Sequence, residues 1–383
     1  MKILRSSHSL NPAAGGPIEY ILRSSLALLA RGHEVEIICL DPPEAPWLAK
    51  SPLKIHALGP GRGSYGYTPK FTEWLQDRHR EFDAIIVHGV WQYSSFGVWR
   101  VVHGTRTPYF VFPHGMLDPW FKRAYPLKHL KKLIYWLFAE RRVLCDAAAV
   151  LFTSEEERRL ANQSFPFYRA NKIVVDYGIA QPSVDLATAR EDFLNRFHDL
   201  RGKSFLLFLG RLHEKKGCDL LIESIAAANN GHMHLVMAGP CASEPYLLQL
   251  KQLAVTRRAL VTFTGMLSGD MKWGALSAAD AFILPSHQEN FGIAVVEALA
   301  CGTPVLISKQ INIWQEIDRD GAGYVENDDL GGTKRLIQRW QQTPSERREE
   351  MRVKARDCFR RRFEINRAVD SLLSVLGETR LHA

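Results

Sequence analysis

Apolar residues recur along this chain with two different spacings. Short continuous runs such as Glu34–Leu40 (EVEIICL) and Ser204–Leu209 (SFLLFL) read as strands buried on both faces of a sheet. Between such runs lie segments with apolar residues at helical spacing, as in Ile18–Arg31 with Ile21, Leu22, Leu26 and Leu29. The first third is predicted to run strand (from Lys2), loop (Asn11–Pro17), helix and strand. Further strands are predicted at Ala84–His88, Tyr109–Phe112 and Ala148–Phe152. The pattern restarts at Ser204–Leu209, with a helix over Cys218–Ala228 and a strand at His234–Ala238. Short strands are predicted at Val261–Thr264, Ala281–Leu284 and Pro304–Ile307. Gln181–Lys203 is polar with weak periodicity, so the boundary between the two series is placed near Ile179. Ser345–Leu376 reads as helical. Strands alternating with helices imply parallel sheets, and hence an α/β fold of two similar units facing across a cleft.

Composition narrows the class. The chain has 383 residues, 46% of them hydrophobic and 23% charged, which suits a globular protein too long for a single core. Its six cysteines form no C-x-x-C pair, so neither a zinc site nor a disulfide framework is expected. No export signal or membrane-spanning run is visible, and a cytoplasmic protein is expected. The 49 Lys+Arg against 41 Asp+Glu leave a formal charge of +8, which suits an acidic partner such as nucleotide phosphates or anionic lipid. No nucleic-acid-binding module appears, and no nucleic-acid partner is expected.

Four segments carry candidate chemistry, each beyond a predicted strand. Gly15-Gly16-Pro17 lets backbone approach a phosphate or simply makes a turn. Phe112-Pro113-His114-Gly115 places an imidazole at a strand end, where it can bond a hydroxyl or handle a proton. Gly210-Arg211 followed by Lys216-Gly217 offers a bidentate cation and a point charge to a diphosphate. Glu289 and Glu297 flank the expected start of a helix near Phe291, with Glu297 about two turns in. The dipole at such a start favours anions. Glu297 could accept hydrogen bonds from a ribose diol, and Glu289 from sugar hydroxyls.

Taken in order, Gly-Gly-Pro, Pro-His-Gly, Gly-Arg-x5-Gly and Glu-x7-Glu resemble family 4 of the retaining glycosyltransferases. The most specific run is Glu289-Asn290-Phe291-Gly292 through Glu297 to Pro304-Val305. The resemblance implies the GT-B fold, with an acceptor-binding domain over 1–179 and a donor-binding domain over 180–362. A C-terminal helix at about 363–383 would return to the first. It also implies a nucleotide-sugar donor whose diphosphate meets Gly15, Gly16, Arg211 and Lys216. Gly239, Gly265, Met266 and Leu267 would line the nucleotide pocket. Glu289, Asn290, Phe291 and Gly292 would face the sugar, Glu297 the ribose, and His114 the sugar and the acceptor hydroxyl. The catalytic set implied is His114, Glu289, Arg211 and Lys216. Asp176-Tyr177-Gly178-Ile179-Ala180 departs from the family's Pro-Asn-Gly-Ile-Asp, and Cys241 follows Pro240 where a second glycine is common.

No cofactor is expected: the nucleotide sugar is a substrate, and the cations already present make a metal unnecessary. Asp318-Arg319-Asp320 looks like a helix end rather than a metal site. The basic, aromatic segment Trp120–Arg142 suits either a packed helix or the surface of an anionic membrane. His88, Asp118, Lys128, Lys131 and Lys132 are candidate acceptor or membrane contacts. The expected partners are a nucleotide sugar, a glycan or lipid-linked glycan acceptor, and an anionic membrane at the inner face of the cytoplasmic membrane. The expected setting is bacterial surface-polysaccharide synthesis, including lipopolysaccharide. Two other readings stay open: a non-catalytic nucleotide-sugar or polyanion-binding protein, and a nucleotide-sugar epimerase.

Overall fold

The computed structural model describes residues 1–49, 51–228 and 233–381. The chain divides into two units. One comprises Met1–Ile179 and the chain from Ile365 onward, and the other comprises Ala180–Glu364.

The first unit is built on seven parallel strands: β1 (Lys2–Ser7), β2 (Glu34–Cys39), β3 (Lys54–Ala57), β4 (Ala84–His88), β5 (Tyr109–Phe112), β6 (Ala149–Phe152) and β7 (Lys172–Val174). Their order is β3-β2-β1-β4-β5-β6-β7. Winding runs one way from β1 and the other way from β4, so a switch point lies between them. Ser7 is in register with both Cys39 of β2 and His88 of β4, which aligns the carboxyl ends of the three strands. Ile37 and Cys39 face Ile18 and Ile21 of the Gly16–Ala30 helix on one side of the sheet. Ile85, Val87, Val111 and Trp136 pack on the other side. The helix Ile365–Leu381 returns to this unit: Ile365 N–H donates to the Ile179 carbonyl at 2.9 Å, and Arg31 pairs with Asp370 at 2.7 Å.

The second unit has six parallel strands: β8 (Phe205–Leu209), β9 (His234–Ala238), β10 (Val261–Gly265), β11 (Ala281–Leu284), β12 (Val305–Ser308) and β13 (Gly323–Glu326). Their order, β10-β9-β8-β11-β12-β13, places a second switch point between β8 and β11.

The structure departs from the sequence reading where local signal is thin. The edge strands β3, β7 and β13 were not predicted. They are three or four residues long and half-exposed, so no run of buried positions marks them. The polar stretch Gln181–Lys203 holds a helix, Leu186–Arg196, capped by Asp185, whose carboxylate accepts from Thr188 N–H at 2.9 Å. Only Ala189, Phe193 and Leu194 of that helix are buried. Its fit depends on Gly274 in the opposing helix, where a Cβ would lie 2.1 Å from the Ala189 carbonyl. Trp120–Arg142 is broken as well. A first helix, Trp120–Ala124, stops at Tyr125, and Pro126 starts a second, Pro126–Tyr135. A π-helical turn, Trp136–Glu140, follows.

Candidate functional site

At the carboxyl end of β8 the chain passes Gly210 and Arg211 and makes a short turn over Glu214–Lys216. The turn closes on Gly217, held at φ 65° with its Cβ position 2.6 Å from the Pro285 carbonyl, so both conformation and space demand glycine there. The loop after β11 is tied to this turn: His287 N–H and Ser286 Oγ donate to the Lys215 carbonyl at 2.8 and 3.0 Å. The His287 ring bonds Asp328 at 2.8 Å, and that bond raises its pKa above the usual histidine value. Glu289 is fixed from the other side. Its N–H donates to the Gln310 carbonyl at 2.9 Å, and its carbonyl accepts from Asn312 N–H at 3.1 Å.

The Glu289 side chain lies against Lys216 as an ion pair. Burial pushes this carboxyl up, but the charge and hydrogen bond of Lys216, together with Lys215 and the Asn290 N–H, hold it below its ordinary value. Arg211 is exposed at the mouth of the same loop. The switch point between β8 and β11 therefore presents one paired cation, one exposed guanidinium and a carboxylate on short, stitched loops.

The helix that follows begins at Ile293, two residues later than the sequence reading placed it, because Gly292 takes φ 75° and serves as its N-cap. Glu297 is consequently little more than one turn in. It is 6% exposed and pairs with Lys272 of the neighbouring helix at 2.5 Å. Lys272 was not foreseen, since only packing brings it across from Gly269–Ala278. Phe291 turns inward, 5% exposed, and packs edge-on against Phe363, so only its backbone can serve a ligand. Gly239 at the end of β9 has a structural duty: a Cβ there would lie 1.9 Å from the Gly210 carbonyl. Gly265, the last residue of β10, and Met266 just beyond it are exposed, and Leu267 is half-buried. Asp320 is bound by Arg362 through two hydrogen bonds, at 2.7 and 2.9 Å, which accounts for it as a helix-end ion pair.

The first unit carries a different arrangement at its own switch point. Gly15 takes φ 87° before Gly16 opens the helix, with nothing near its Cβ position, so backbone geometry alone selects glycine there. Beyond β5, His114 takes φ 50°. Its turn is held by buried Glu157, which accepts from Gly115 N–H at 2.6 Å and from Thr153 N–H at 2.8 Å. His114 Nε2 lies 3.0 Å from His88 Nδ1, and His88 Nε2 lies 3.4 Å from Arg5 Nη1. Arg5 is fully buried, and its Nε and Nη2 have no hydrogen-bond partner. Burial lowers its pKa, yet a guanidinium keeps its proton and can only donate. This assigns the order of donors. Arg5 donates to His88 Nε2, His88 Nδ1–H donates to His114 Nε2, and His114 is left with Nδ1–H as its free donor. Burial and the Arg5 charge push His114 down to about 3 and His88 well below the usual value, so both rings are neutral near pH 7. Tyr177, one of the three residues that depart from the family pattern, packs edge-on against His114 at 5.9 Å and stacks on Tyr20 at 3.8 Å.

His88 is 4% exposed, so it reaches a ligand only through His114 and is not itself the contact expected from sequence. Asp118 is 9% exposed, and its Oδ1 accepts from Trp120 N–H at 2.7 Å. Lys128 and Lys131 are exposed, whereas Lys132 turns inward over the rings of Trp91 and Phe121.

Two family models match the chain, the "glycosyl transferases group 1" model over residues 191–357 and the "glycosyl transferase 4-like domain" model over residues 15–178. The chain is 27% identical to a GDP-mannose-dependent alpha-(1-6)-phosphatidylinositol dimannoside mannosyltransferase of Mycobacterium tuberculosis, over 98% of this chain and 96% of that one. In fold it is similar to sucrose-phosphate synthase from Thermosynechococcus elongatus (TM-score 0.80, 19% identity, all of both chains). It is also similar to Anabaena HepE solved with UDP and glucose (TM-score 0.77, 18% identity, 99% of this chain and 100% of that one).

Proposed function

The chain belongs to the group 1 glycosyltransferases of family 4, with the GT-B fold, and from that premise we propose that it moves a hexosyl-type sugar from a nucleotide sugar to an acceptor hydroxyl with retention of configuration. The observation that carries this reading is the Lys216–Glu289 pair beside exposed Arg211 at the β8/β11 switch point. As the anomeric carbon–oxygen bond breaks, negative charge grows on the leaving diphosphate, where Arg211 and Lys216 answer it. The acceptor hydroxyl attacks from the face the diphosphate leaves, and its proton passes to the departing phosphate oxygen. Glu289 orients sugar hydroxyls. Glu297, already held by Lys272, takes the ribose. In the first unit His114 donates from Nδ1 to a substrate hydroxyl. No metal enters the scheme.

A carboxylate held ionised by a lysine and poised beside a second cation fits turnover of a nucleotide sugar better than passive binding. The test is incubation with UDP-, GDP- and ADP-sugars. Wild type should release nucleoside diphosphate slowly without acceptor and Glu289→Ala should not. Equal release by both would remove the proposal, and an epimerised donor with no transfer would favour the epimerase.

The acceptor is a glycan or lipid-linked glycan of surface-polysaccharide assembly, met at an anionic bilayer on the cytoplasmic side. The outward face of Pro126–Tyr135 supports this. Leu127, Leu130 and Ile134 recur there at helical spacing and are 79%, 57% and 58% exposed, and Phe138 in the next turn is 72% exposed. Exposed Lys128 and Lys131 lie on the same helix. An apolar stripe beside unpaired lysines suits insertion at a charged lipid surface. Among the described residues no helix is long and apolar enough to cross a membrane. Leu130→Asp with Ile134→Asp should abolish co-sedimentation with phosphatidylglycerol vesicles, and unchanged binding would refute the contact.

A further inference from the structure

A pocket of about 60 Å³ lies in the first unit between the turn that follows His114 and the inward side of Pro126–Tyr135. Its apolar wall comes from Met116, Phe121 and Phe165, and its polar wall from Lys128, His129 and Lys132. The sequence spacing explains the convergence: positions 128, 129 and 132 span little more than one helical turn. Oxygen-sized groups each need about 10–15 Å³ on this measure, so the pocket takes about four to six of them.

The lysines here lie against aromatic rings rather than in ion pairs. Lys132 Nζ lies 4.8 Å over the Trp91 ring and 5.7 Å from Phe121, and Lys128 Nζ lies 4.9 Å over Tyr125. Among the described residues, no carboxylate forms an ion pair with Lys128, His129 or Lys132. Glu140, the acid nearest to Lys132 in sequence, attracts it without forming an ion pair: Glu140 is fully buried, accepts from Ser95 Oγ at 3.2 Å, and is pushed up to about 8 by burial, which weakens its charge near neutral pH. Asp118 also lines the pocket, but its Oδ1 is engaged by the Trp120 N–H. Burial lowers the pKa of Lys132, Glu140 opposing and Lys128 adding to the shift, and burial with Lys122 and Lys132 lowers that of His129. Holding an ammonium partly out of water without an acceptor costs free energy that an incoming anion would return.

We propose that this pocket binds a phosphate group of the acceptor, monoester or diester, while the adjoining apolar part of that molecule lies against Met116, Phe121 and Phe165. The proposal rests on the reading that the first unit receives the acceptor. Lys128 and Lys132 supply point charges and His129 supplies a ring N–H. The shared chemistry leaves two sources, a lipid phosphate and a soluble sugar phosphate.

The test is calorimetric titration of the full chain with three probes: monomeric dihexanoyl phosphatidic acid, glucose 1-phosphate, and uncharged dihexanoylglycerol. Saturable binding of either phosphate, with none of the diacylglycerol, is expected, and which phosphate binds names the source. Lys132→Gln should weaken that binding about tenfold, the loss of one charge-assisted hydrogen bond. Lys128→Gln, at an exposed position that folding does not need, should weaken it in the same direction. Binding of the nucleoside diphosphate that the chain selects among UDP, GDP and ADP, assigned to the second unit, serves as the control and should not change. Equal affinity in both variants, or equal binding of the uncharged probe, would overturn the proposal. Binding is read without catalysis. Intact phosphate binding in a chain that transfers no sugar would therefore sink the transferase reading, and with it the name acceptor, while leaving the phosphate site itself standing.

Discussion

In the second unit β8 and β11 end in an exposed guanidinium and an ion pair, whereas in the first a line runs from buried Arg5 within β1 through buried His88 at the end of β4 to half-buried His114 beyond β5. Strand order around the two switch points is the same. The difference lies in how each unit treats charge. The second keeps Glu289 ionised by placing Lys216 against it, and leaves Arg211 facing solvent. The first buries a cation, Arg5, beneath two histidines, and burial first, then that charge, keeps both neutral. Mobile or exposed charge suits a leaving group that turns more negative. A neutral ring with one fixed N–H suits a hydroxyl that must be oriented rather than neutralised. One scaffold thus supplies two chemistries from the same topological position, and the loops decide which.

The largest effect that could break this contrast lies in the second unit. Arg211→Ala and Lys216→Ala should each lower kcat about a hundredfold, the loss of one preorganised charge contact worth about 3 kcal/mol. Arg211→Ala should leave the melting temperature unchanged because its side chain is exposed. Near wild-type turnover in either variant would remove the leaving-group assignment.

A smaller effect is expected from Arg5→Met in the first unit. Without its donor, His88 loses the tautomer that points Nδ1–H at His114. The expected cost is about tenfold in kcat, the weight of one hydrogen bond to a charged group. The decisive reading is ¹⁵N NMR of the imidazoles. Wild type should show His114 protonated at Nδ1 alone, and Arg5→Met should show a tautomer mixture. A single unchanged tautomer in the variant would mean that Arg5 only fills space.

Stability should also record the neutral histidines. His88 and His114 have folded pKa values below the usual 6.5, so below that pH the unfolded chain binds protons that the folded chain refuses. Stability should therefore rise as pH increases from about 4.5 to 6.5, by at most about 1.4 kcal/mol per pH unit for each group. Urea midpoints across that range would measure it, and His114→Gln should flatten the slope. A slope that is unchanged in the variant would contradict the buried neutral state. The smallest expected effect is none: turnover should survive EDTA, since the proposed scheme sets two cations, Arg211 and Lys216, against the leaving group. Loss that Mg²⁺ or Mn²⁺ restores would overturn the metal-free scheme.

How much of this was readable beforehand differs between the sites. In the second unit the chemistry lies in two short segments, Arg211–Lys216 and Glu289–Glu297, each directly beyond an apolar strand, so spacing alone singled them out. In the first unit His114 was visible because glycine follows it at a strand end. Arg5 was not, because it sits mid-strand in KILRSS, where a charged residue reads as a solvent-facing position. Glu157 was missed, and Tyr177 was noted only as part of a departure from the family pattern, because each acts on the His114 turn across tens of residues. The Trp120–Arg142 segment shows the limit from the other side. Its composition announced lysines and aromatics, but Lys132 faces inward and the apolar stripe faces out, an orientation that the break at Pro126 and the packing of Trp136 impose.

The sequence by itself determined the central strands, the glycines at their ends and the order of the candidate motifs. Buried runs and turn conformations are local properties, written within about ten neighbouring residues. Only the tertiary structure decided the partners: Lys216 with Glu289, Lys272 with Glu297, Arg362 with Asp320, and Arg5 through His88 to His114. Such pairs join elements that the chain separates widely. Their protonation states follow from burial and from the charge that packing sets beside them, and neither quantity exists until the sheets are assembled.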